Sequence, residues 1–368
     1  MKSGIEKDLT TNLNSYSDTQ HFNYLYENIP KQYAFQAGDQ EELLAWQGAF
    51  RPKLREVIGL NNIELDLAGY MPKAERLEAF DMGSHVRETW RLWVEPTVPL
   101  PFYLLLPKGL NLGNKTSRSV RLPLVLVPHG HNHPHIYVGI SRDDKEKKEM
   151  LNGERDIARQ AAAEEGYIAI APTARGFGET RTQSAKEDDK LTSCRHQLVH
   201  DLLVGRTPIG DRVWDIMCLI DWAVATLPVD TDRIAITGNS GGGTISLFAA
   251  ACETRLSLTM PGCYFCTFSG SIGSIHHCEC NYVPGILRLG EMSDIAGLIA
   301  PRPFCAIAGR DDPIFPIEHV YSAFERLKGI YEVAGVSDRC ELVVGDGGHR
   351  FYKTPAWAFV RRMFGALT

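Results

Sequence analysis

The chain has 368 residues, of which 44 % are hydrophobic and 23 % are charged. These proportions are ordinary for a compact globular protein and exclude an intrinsically disordered chain. The formal net charge of -6 supplies no electrostatic reason to bind nucleic acid or an anionic membrane, so we expect neither as a partner. The length allows two domains, or one enlarged domain, and leaves open whether the protein is a monomer or a homo-oligomer.

The first residues and the cysteines both favour a cytoplasmic protein. Residues 1–8 carry acidic side chains and no apolar run behind a basic start, so no secretion signal is predicted. The longest uncharged stretch, 256–278, contains Pro261, glycines and histidines and is too polar to cross a bilayer. We expect a buried strand and a loop there. The nine cysteines are scattered, unlike the disulfide framework of a small secreted domain.

Four cysteines lie closer together in sequence than the rest: Cys263, Cys266, Cys278 and Cys280, with His276 and His277 between them. Such a group can hold zinc, or it can fill a buried loop as small hydrophobic side chains. The second pair lacks the usual two-residue spacer, which favours packing over zinc. No metal or other cofactor is therefore predicted.

Residues 1–70 are predicted to form a helical extension, because apolar residues recur at roughly helical spacing between Leu43 and Val57. Short strands follow, separated by Gly83 and by a proline-rich turn at 96–101. These strands are predicted at 77–80, 86–94 and 102–106.

From residue 122, apolar strands alternate with amphipathic helices, a pattern typical of a parallel sheet covered on both faces. Strands are predicted at 122–127, 167–171, 233–237, 256–260, 304–308 and 341–344. Helices are predicted at 154–165, 211–226, 242–252, 317–334 and 355–364. No repeat or linker divides the chain, so we predict one α/β domain over residues 1–368 with a doubly wound, mostly parallel sheet.

A strand, a sharp turn and the start of a helix are predicted around Ser240, in the sequence Gly-Asn-Ser-Gly-Gly of residues 238–242. This Gly-x-Ser-x-Gly pattern is a nucleophile elbow, which presents its serine at the carboxyl edge of the sheet. Side chains at positions 238 and 242 would collide with the neighbouring strand and helix, so Gly238 and Gly242 are required sterically. Ser240 is therefore the predicted nucleophile.

Asp312 and His349 each follow a later predicted strand, in the order Ser, Asp, His that this elbow accompanies. Asp312 is preferred to Asp311 because Pro313 fixes its backbone in an extended turn, although an Asx turn without a catalytic role is the alternative. Glycines before His349 let its loop carry the imidazole back over the sheet as a general base.

Two backbone amides are predicted to form an oxyanion hole. Gly241 directly follows the nucleophile, and His131 lies in the loop after the strand at 122–127. That loop also suggests a rival, a metallohydrolase with histidines at 129, 131, 133 and 135. A strand rise of about 3.3 Å per residue spreads these four over about 20 Å, too far for one ion.

These motifs together resemble the α/β-hydrolase superfamily over roughly residues 40–368. The resemblance rests on Gly-Asn-Ser-Gly-Gly-Gly at 238–243, Asp312-Pro-Ile-Phe-Pro, Gly-Gly-His349 and the His129-Gly turn, and it is specific to the acetyl xylan esterase-like, dienelactone hydrolase-related branch. It implies an eight-stranded, mostly parallel sheet. It also implies a serine carboxylesterase that removes small acyl groups, often acetyl, from a carbohydrate or another small ester.

Two positions depart from the related cephalosporin C deacetylase group. Phe177 stands where that group has Gln after Arg-Gly, and Arg350 stands where it has Glu after the histidine. These departures argue against membership of that group. An α/β-hydrolase peptidase or amidase is a separate alternative to the esterase, although such peptidases usually carry a propeller or large cap domain and this chain has no repeated-blade pattern.

Substrate selection is expected from two long loops, 178–210 and 262–289. The candidate pocket residues are His129, Arg175, Phe177, Tyr264 and Phe265, with Phe268 and Tyr282. For the aromatic residues of the second loop, packing in the core is an equally good explanation.

Overall fold

One sheet of nine strands organises the computed structural model, which describes residues 17–110 and 120–366. The strands are β1 Lys73–Asp81, β2 His85–Glu95, β3 Val98–Pro107, β4 Leu122–Leu126, β5 Ile168–Pro172, β6 Val229–Asn239, β7 Leu258–Gly262, β8 Phe304–Gly309 and β9 Cys340–Gly345. Their order across the sheet is β1-β2-β3-β5-β4-β6-β7-β8-β9.

The pairing confirms the predicted, mostly parallel sheet. Strands β4 to β9 are mutually parallel, while β1, β2 and β3 form an antiparallel meander whose last strand pairs antiparallel with β5. Each strand predicted from the sequence is present. The resemblance implies eight strands, and this number is too low by one. The additional strand is β1, which pairs along its length with β2 and lies exposed at the edge of the sheet.

The predicted turn at 96–101 is shorter than expected, since β3 already begins at Val98. The carbonyl of Pro101 accepts a hydrogen bond from the Thr173 amide, so this residue faces the β5 side of the strand. The β5 pairing starts only at Phe102. A proline nitrogen facing that side therefore removes no ladder hydrogen bond, which is why a strand can form there.

Helices cover both faces of the sheet. They are α1 Asp18–Asn28, α2 Gln40–Val57, α3 Leu60–Asp66, α4 Asp144–Asn152, α5 Ile157–Arg159, α6 Gln183–Glu187, α7 Cys194–Leu203, α8 Pro208–Thr226, α9 Gly241–Cys252, α10 Ile286–Leu289, α11 Met292–Gly297, α12 Ile317–Val333 and α13 Lys353–Ala366. The segment predicted as one α-helix at 154–165 is not a regular α-helix. The short helix α5 continues directly into a π-helical turn, Gln160–Glu164, and Glu154 lies outside the helix with a positive φ of 49°.

The predicted helical extension is confirmed over residues 17–70, which contain α1, α2 and α3, while residues 1–16 lie outside the described residues. Helix α2 is amphipathic and buries Leu43, Phe50 and Leu54. None of the helices within the described ranges is long and apolar enough to span a membrane.

The register of the parallel strands brings several strand ends to one edge of the sheet. Asn239 at the end of β6 pairs with Gly262 at the end of β7, and the ends of β8 and β9, Gly309 and Gly345, pair with each other. The segments that follow β6, β7, β8 and β9 therefore meet at this edge, where parallel α/β sheets bind ligands.

Candidate active site

Ser240 lies at the sharp turn between β6 and α9. Its φ of 61° and ψ of -121° are unusual for a residue with a side chain, and its amide donates a hydrogen bond to the Gly262 carbonyl at 2.7 Å. A Cβ on Gly238 would lie 2.3 Å from the Pro128 carbonyl oxygen, and one on Gly242 would lie 2.1 Å from the same atom. The turn thus leaves no room for side chains at either glycine.

Asp312 and His349 meet in the loops after β8 and β9. Nδ1 of His349 lies 2.7 Å from Oδ2 of Asp312, whose side chain is 1 % exposed. The other carboxylate oxygen accepts hydrogen bonds from the Ile314 and Phe315 amides at 3.0 and 3.3 Å. Of the two adjacent aspartates, Asp311 is exposed and Asp312 is the one that lies against the imidazole.

A cavity of about 500 Å³ opens between Ser240 and His349, which both line it. Both loops proposed for substrate selection reach this cavity: Thr192 comes from 178–210, and Tyr264 and Glu279 come from 262–289. Side chains from several distant parts of the chain can therefore contact one ligand beside Ser240.

The predicted oxyanion-hole residues also line the cavity. The Gly130 amide donates to the Tyr137 hydroxyl at 2.9 Å, whereas the His131 and Gly241 amides donate to no atom of the described residues. A Cβ on Gly241 would lie 2.9 Å from Cε1 of His131, so the imidazole rests against this glycine. Both amides are free to donate to a ligand in the cavity.

The histidines of the loop after β4 have separate partners. His129 accepts a hydrogen bond from the Ala174 amide at 2.9 Å, and burial lowers the pKa of its imidazole to about 3. Nε2 of His135 lies 3.0 Å from a carboxylate on α4. Nε2 of His131 lies 3.2 Å from Sγ of Cys280, and burial lowers the pKa of His131 to about 4. Among the described residues, these rings do not surround a shared ion position.

Of the predicted pocket residues, Tyr264 lines the cavity and His129, Arg175, Phe177 and Phe265 do not. Arg175 is held by Asp215, at 2.7 Å from its Nη2, and by Glu95, so its guanidinium is already satisfied.

The aromatic candidates that miss the cavity pack against other rings. Phe177 packs edge-on against the rings of His129 and His131, and Phe265 packs against Phe304.

A second prediction about the loop 262–289 also needs correction. Phe268 and Tyr282 line a separate, largely apolar cavity of about 300 Å³. Three of the four clustered cysteines divide in two as well: Cys263 lies with Asp312 and His349, and Cys278 and Cys280 lie with His131, while Cys266 belongs to neither group. Spacing along the chain did not show which thiols face each other, because the loop folds back between them.

Two residues lie at the site without having been predicted there, although Cys263 was named as one of the clustered cysteines. Cys263 directly follows β7, the same strand-end position that identified Asp312, and its ligand atom lies within 4.8 Å of those of Asp312 and His349. Burial and the nearby Asp312 carboxylate raise the pKa of its thiol. Arg155 lines the cavity, and no described residue accepts a hydrogen bond from its Nε. It stands in an irregular turn that carries no sequence motif.

The chain was compared with known proteins by sequence and by structure. No family model matches the chain. It is 26 % identical over 282 residues to the "Putative hydrolase YtaP" of Bacillus subtilis (strain 168), which covers 75 % of this chain and 86 % of that protein.

Two solved structures are similar over most of their length. A putative acetyl xylan esterase from Bacteroides fragilis NCTC 9343 superposes with a TM-score of 0.71 at 16 % identity, covering 90 % of this chain and 83 % of the other. A glucuronoyl esterase from Solibacter usitatus gives 0.62 at 12 % identity, covering 91 % and 96 %. The mostly parallel nine-stranded sheet, the elbow after β6 and these superpositions together show that the protein has the α/β-hydrolase fold.

Proposed function

We propose that the protein is a serine-dependent ester hydrolase with Ser240 as nucleophile, His349 as general base and Asp312 as the acid that orients the imidazole. The observation that carries this proposal is the 2.7 Å contact between His349 and Asp312 at a cavity that Ser240 also lines. The strained backbone of Ser240 supports it, because such strain concentrates at catalytic sites.

The reaction proceeds in two halves. His349 takes the proton of the Ser240 hydroxyl while the oxygen attacks the ester carbonyl, and Asp312 stabilises the resulting imidazolium. The His131 and Gly241 amides donate to the oxyanion, and the positive end of α9 adds to their field. His349 returns the proton to the departing alcohol, and water activated by the same imidazole then releases the acid from the acyl-enzyme.

For the substrate we propose a small neutral ester, such as an acetylated carbohydrate. The open cavity of about 500 Å³ fits a sugar-sized molecule, and its polar wall offers hydrogen bonds through Asn132, Thr192 and Glu279. The structural similarity to an acetyl xylan esterase is consistent with this substrate class.

A second candidate is an ester of an acidic sugar, favoured by Arg155. Arg155 lines the cavity, and a guanidinium is well suited to bind a carboxylate. Under this candidate, Arg155→Leu lowers kcat/KM for an ester that carries a carboxylate and leaves neutral esters unchanged.

The decisive experiment compares Ser240→Ala with Ser322→Ala, which removes an exposed hydroxyl from α12. Hydrolysis of p-nitrophenyl acetate should fall at least about 10³-fold in the first variant and stay at the wild-type rate in the second. Wild-type turnover by Ser240→Ala would refute the mechanism. A panel of acetylated neutral sugars, acetylated uronic acids with a free carboxylate, and aminoacyl amides separates the substrate classes, and a preference for amides would replace the esterase by an amidase.

A further inference from the structure

A compact group of sulfur and nitrogen atoms lies beside the cavity. Nε2 of His131 is 3.2 Å from Sγ of Cys280, which is 3.3 Å from Sγ of Cys278. The three ligand atoms all lie within 4.8 Å of one another. They come from two loops that are far apart in sequence, one after β4 and one after β7.

Cys194 brings a third thiol to this group from the first residue of α7. Its side chain is fully buried, and α7 packs against the turn at 279–281 that carries Cys280. Three sulfurs and one imidazole nitrogen form the Cys₃His set found in structural zinc sites. We propose that His131, Cys194, Cys278 and Cys280 form a structural binding site for a thiophilic divalent cation of the zinc class.

The interatomic distances are compatible with such a centre. Ligands around a tetrahedral zinc ion lie about 3.8 Å apart for two sulfurs and about 3.6 Å for sulfur and nitrogen, given the usual bond lengths. The observed separations of 3.3 and 3.2 Å differ from these by about half an ångström or less. A disulfide between Cys278 and Cys280 would need a sulfur separation of about 2.05 Å.

The charge of Arg212 supports the same assignment. This side chain is 3 % exposed, its Nη2 lies 3.5 Å from Sγ of Cys194, and its Nε has no partner among the described residues. It forms no ion pair with a carboxylate in the described part of the chain. A buried guanidinium needs a compensating negative charge. A divalent ion bound by three thiolates and a neutral imidazole carries a net charge of -1, which supplies it.

The site would tie three segments together at the wall of the cavity. His131 also contributes the amide assigned to the oxyanion hole, so this consequence rests on the proposed function. Four protein ligands leave no open coordination position, and the ion would therefore hold the loop in place without contacting the ester. Its loss should weaken catalysis by displacing the His131 amide.

Metal content of the whole protein tests the proposal directly. The chain is purified without a metal-chelating tag under reducing conditions, incubated with zinc and separated from unbound ion by gel filtration. We expect about one zinc ion per chain by mass spectrometry, and a thiolate-to-cobalt charge-transfer band after substitution with cobalt. Cys280→Ser and Cys194→Ser should lose the ion, whereas Cys340→Ser, a thiol at the start of β9, should keep it.

Three results would overturn the proposal: wild-type protein without bound metal, equal retention of metal by Cys280→Ser, or a Cys278–Cys280 disulfide in the purified chain, seen as the loss of two hydrogen atoms. If the cysteine variants fail to fold by circular dichroism, the wild-type stoichiometry and the cobalt spectrum still decide. Ser240→Ala should retain the ion while losing activity, so a failure of the metal site and a failure of the proposed mechanism are distinguishable.

Discussion

Hydrogen bonds from the Ile314 and Phe315 amides hold one oxygen of the Asp312 carboxylate and leave the other for His349. The carboxylate is therefore held by its own loop independently of its contact with the imidazole. Phe315 also stacks on the imidazole, with ring centroids 5.9 Å apart and planes 17° from parallel. One short segment after β8 thus sets both the position and the plane of His349.

The first prediction concerns the choice between two adjacent aspartates. Asp312→Asn should lower kcat by roughly 10⁴-fold, because an amide cannot stabilise the imidazolium and favours the wrong tautomer. Asp311→Asn is the matched control, since Asp311 is exposed and makes no contact with the imidazole. Initial rates with p-nitrophenyl acetate measure both variants. Equal losses of kcat in the two would contradict the assignment.

The second prediction concerns Glu146 on α4. Burial opposes its ionisation, but hydrogen bonds from the Arg142 amide and from His135 lower the pKa of this carboxyl to about 2. Between pH 4.5 and 2 the unfolded chain therefore binds a proton that the folded chain does not. The stabilisation is complete above pH 4.5 and is lost as the pH falls towards 2.

Urea unfolding of Glu146→Gln across this range tests the effect. The variant should show a flatter dependence of the unfolding free energy on pH below 4.5 than the wild type. Glu149→Gln removes an exposed carboxylate from the same helix and controls for the change in net charge. An unchanged slope in Glu146→Gln would show that this carboxylate does not contribute to acid stability.

At the scale of elements, strands were easier to predict than helices because each buried strand is a short apolar run bounded by turn residues. The π-helical turn after α5 and the short helices α6 and α7 gave no such pattern, since the loop 178–210 is polar. The residues of the candidate site also differ in how readily the sequence predicts them. Strand ends identified Ser240, Asp312 and His349, whereas the direction of Arg175 depends on Glu95, which is 80 positions away in sequence.

The third prediction tests the crowding between β6, α9 and the end of β4. Gly238→Ala should destabilise the protein by at least about 2 kcal/mol, because its Cβ would overlap the Pro128 carbonyl oxygen. Gly329→Ala, in α12, places its Cβ in open space and should stabilise by about 0.5 to 1 kcal/mol. Thermal unfolding distinguishes the two. A neutral Gly238→Ala would mean that the elbow can open without cost.

At the scale of the whole molecule, the helical extension adds to the same core that covers one face of the sheet. Phe50 of α2 is fully buried and stacks on Tyr33 with ring centroids 5.0 Å apart, while Gln47 donates hydrogen bonds to the carbonyls of Gly297 and Ala300. These contacts support the proposal that the extension and the sheet unfold together as one domain.

The fourth prediction follows from that packing. Phe50→Ala should lower the unfolding free energy by about 3 to 5 kcal/mol, with one transition seen by both fluorescence and circular dichroism. Leu44 lies in the same helix, and its side chain is 64 % exposed. Leu44→Ala should therefore change the unfolding free energy by less than about 0.5 kcal/mol. Two separate transitions in Phe50→Ala would indicate that the extension is an independent unit.

The Pro128 carbonyl oxygen restricts positions 238 and 242 at once, which limits how this elbow can change in evolution. When a side chain causes a clash, a second mutation that shrinks it can restore the fold. Here the obstacle is a main-chain atom that every amino acid carries, so no single substitution at position 128 removes it. In a saturation library selected for folding, we therefore expect only glycine at positions 238 and 242. We also expect that no substitution at position 128 restores the folding of a variant at either position.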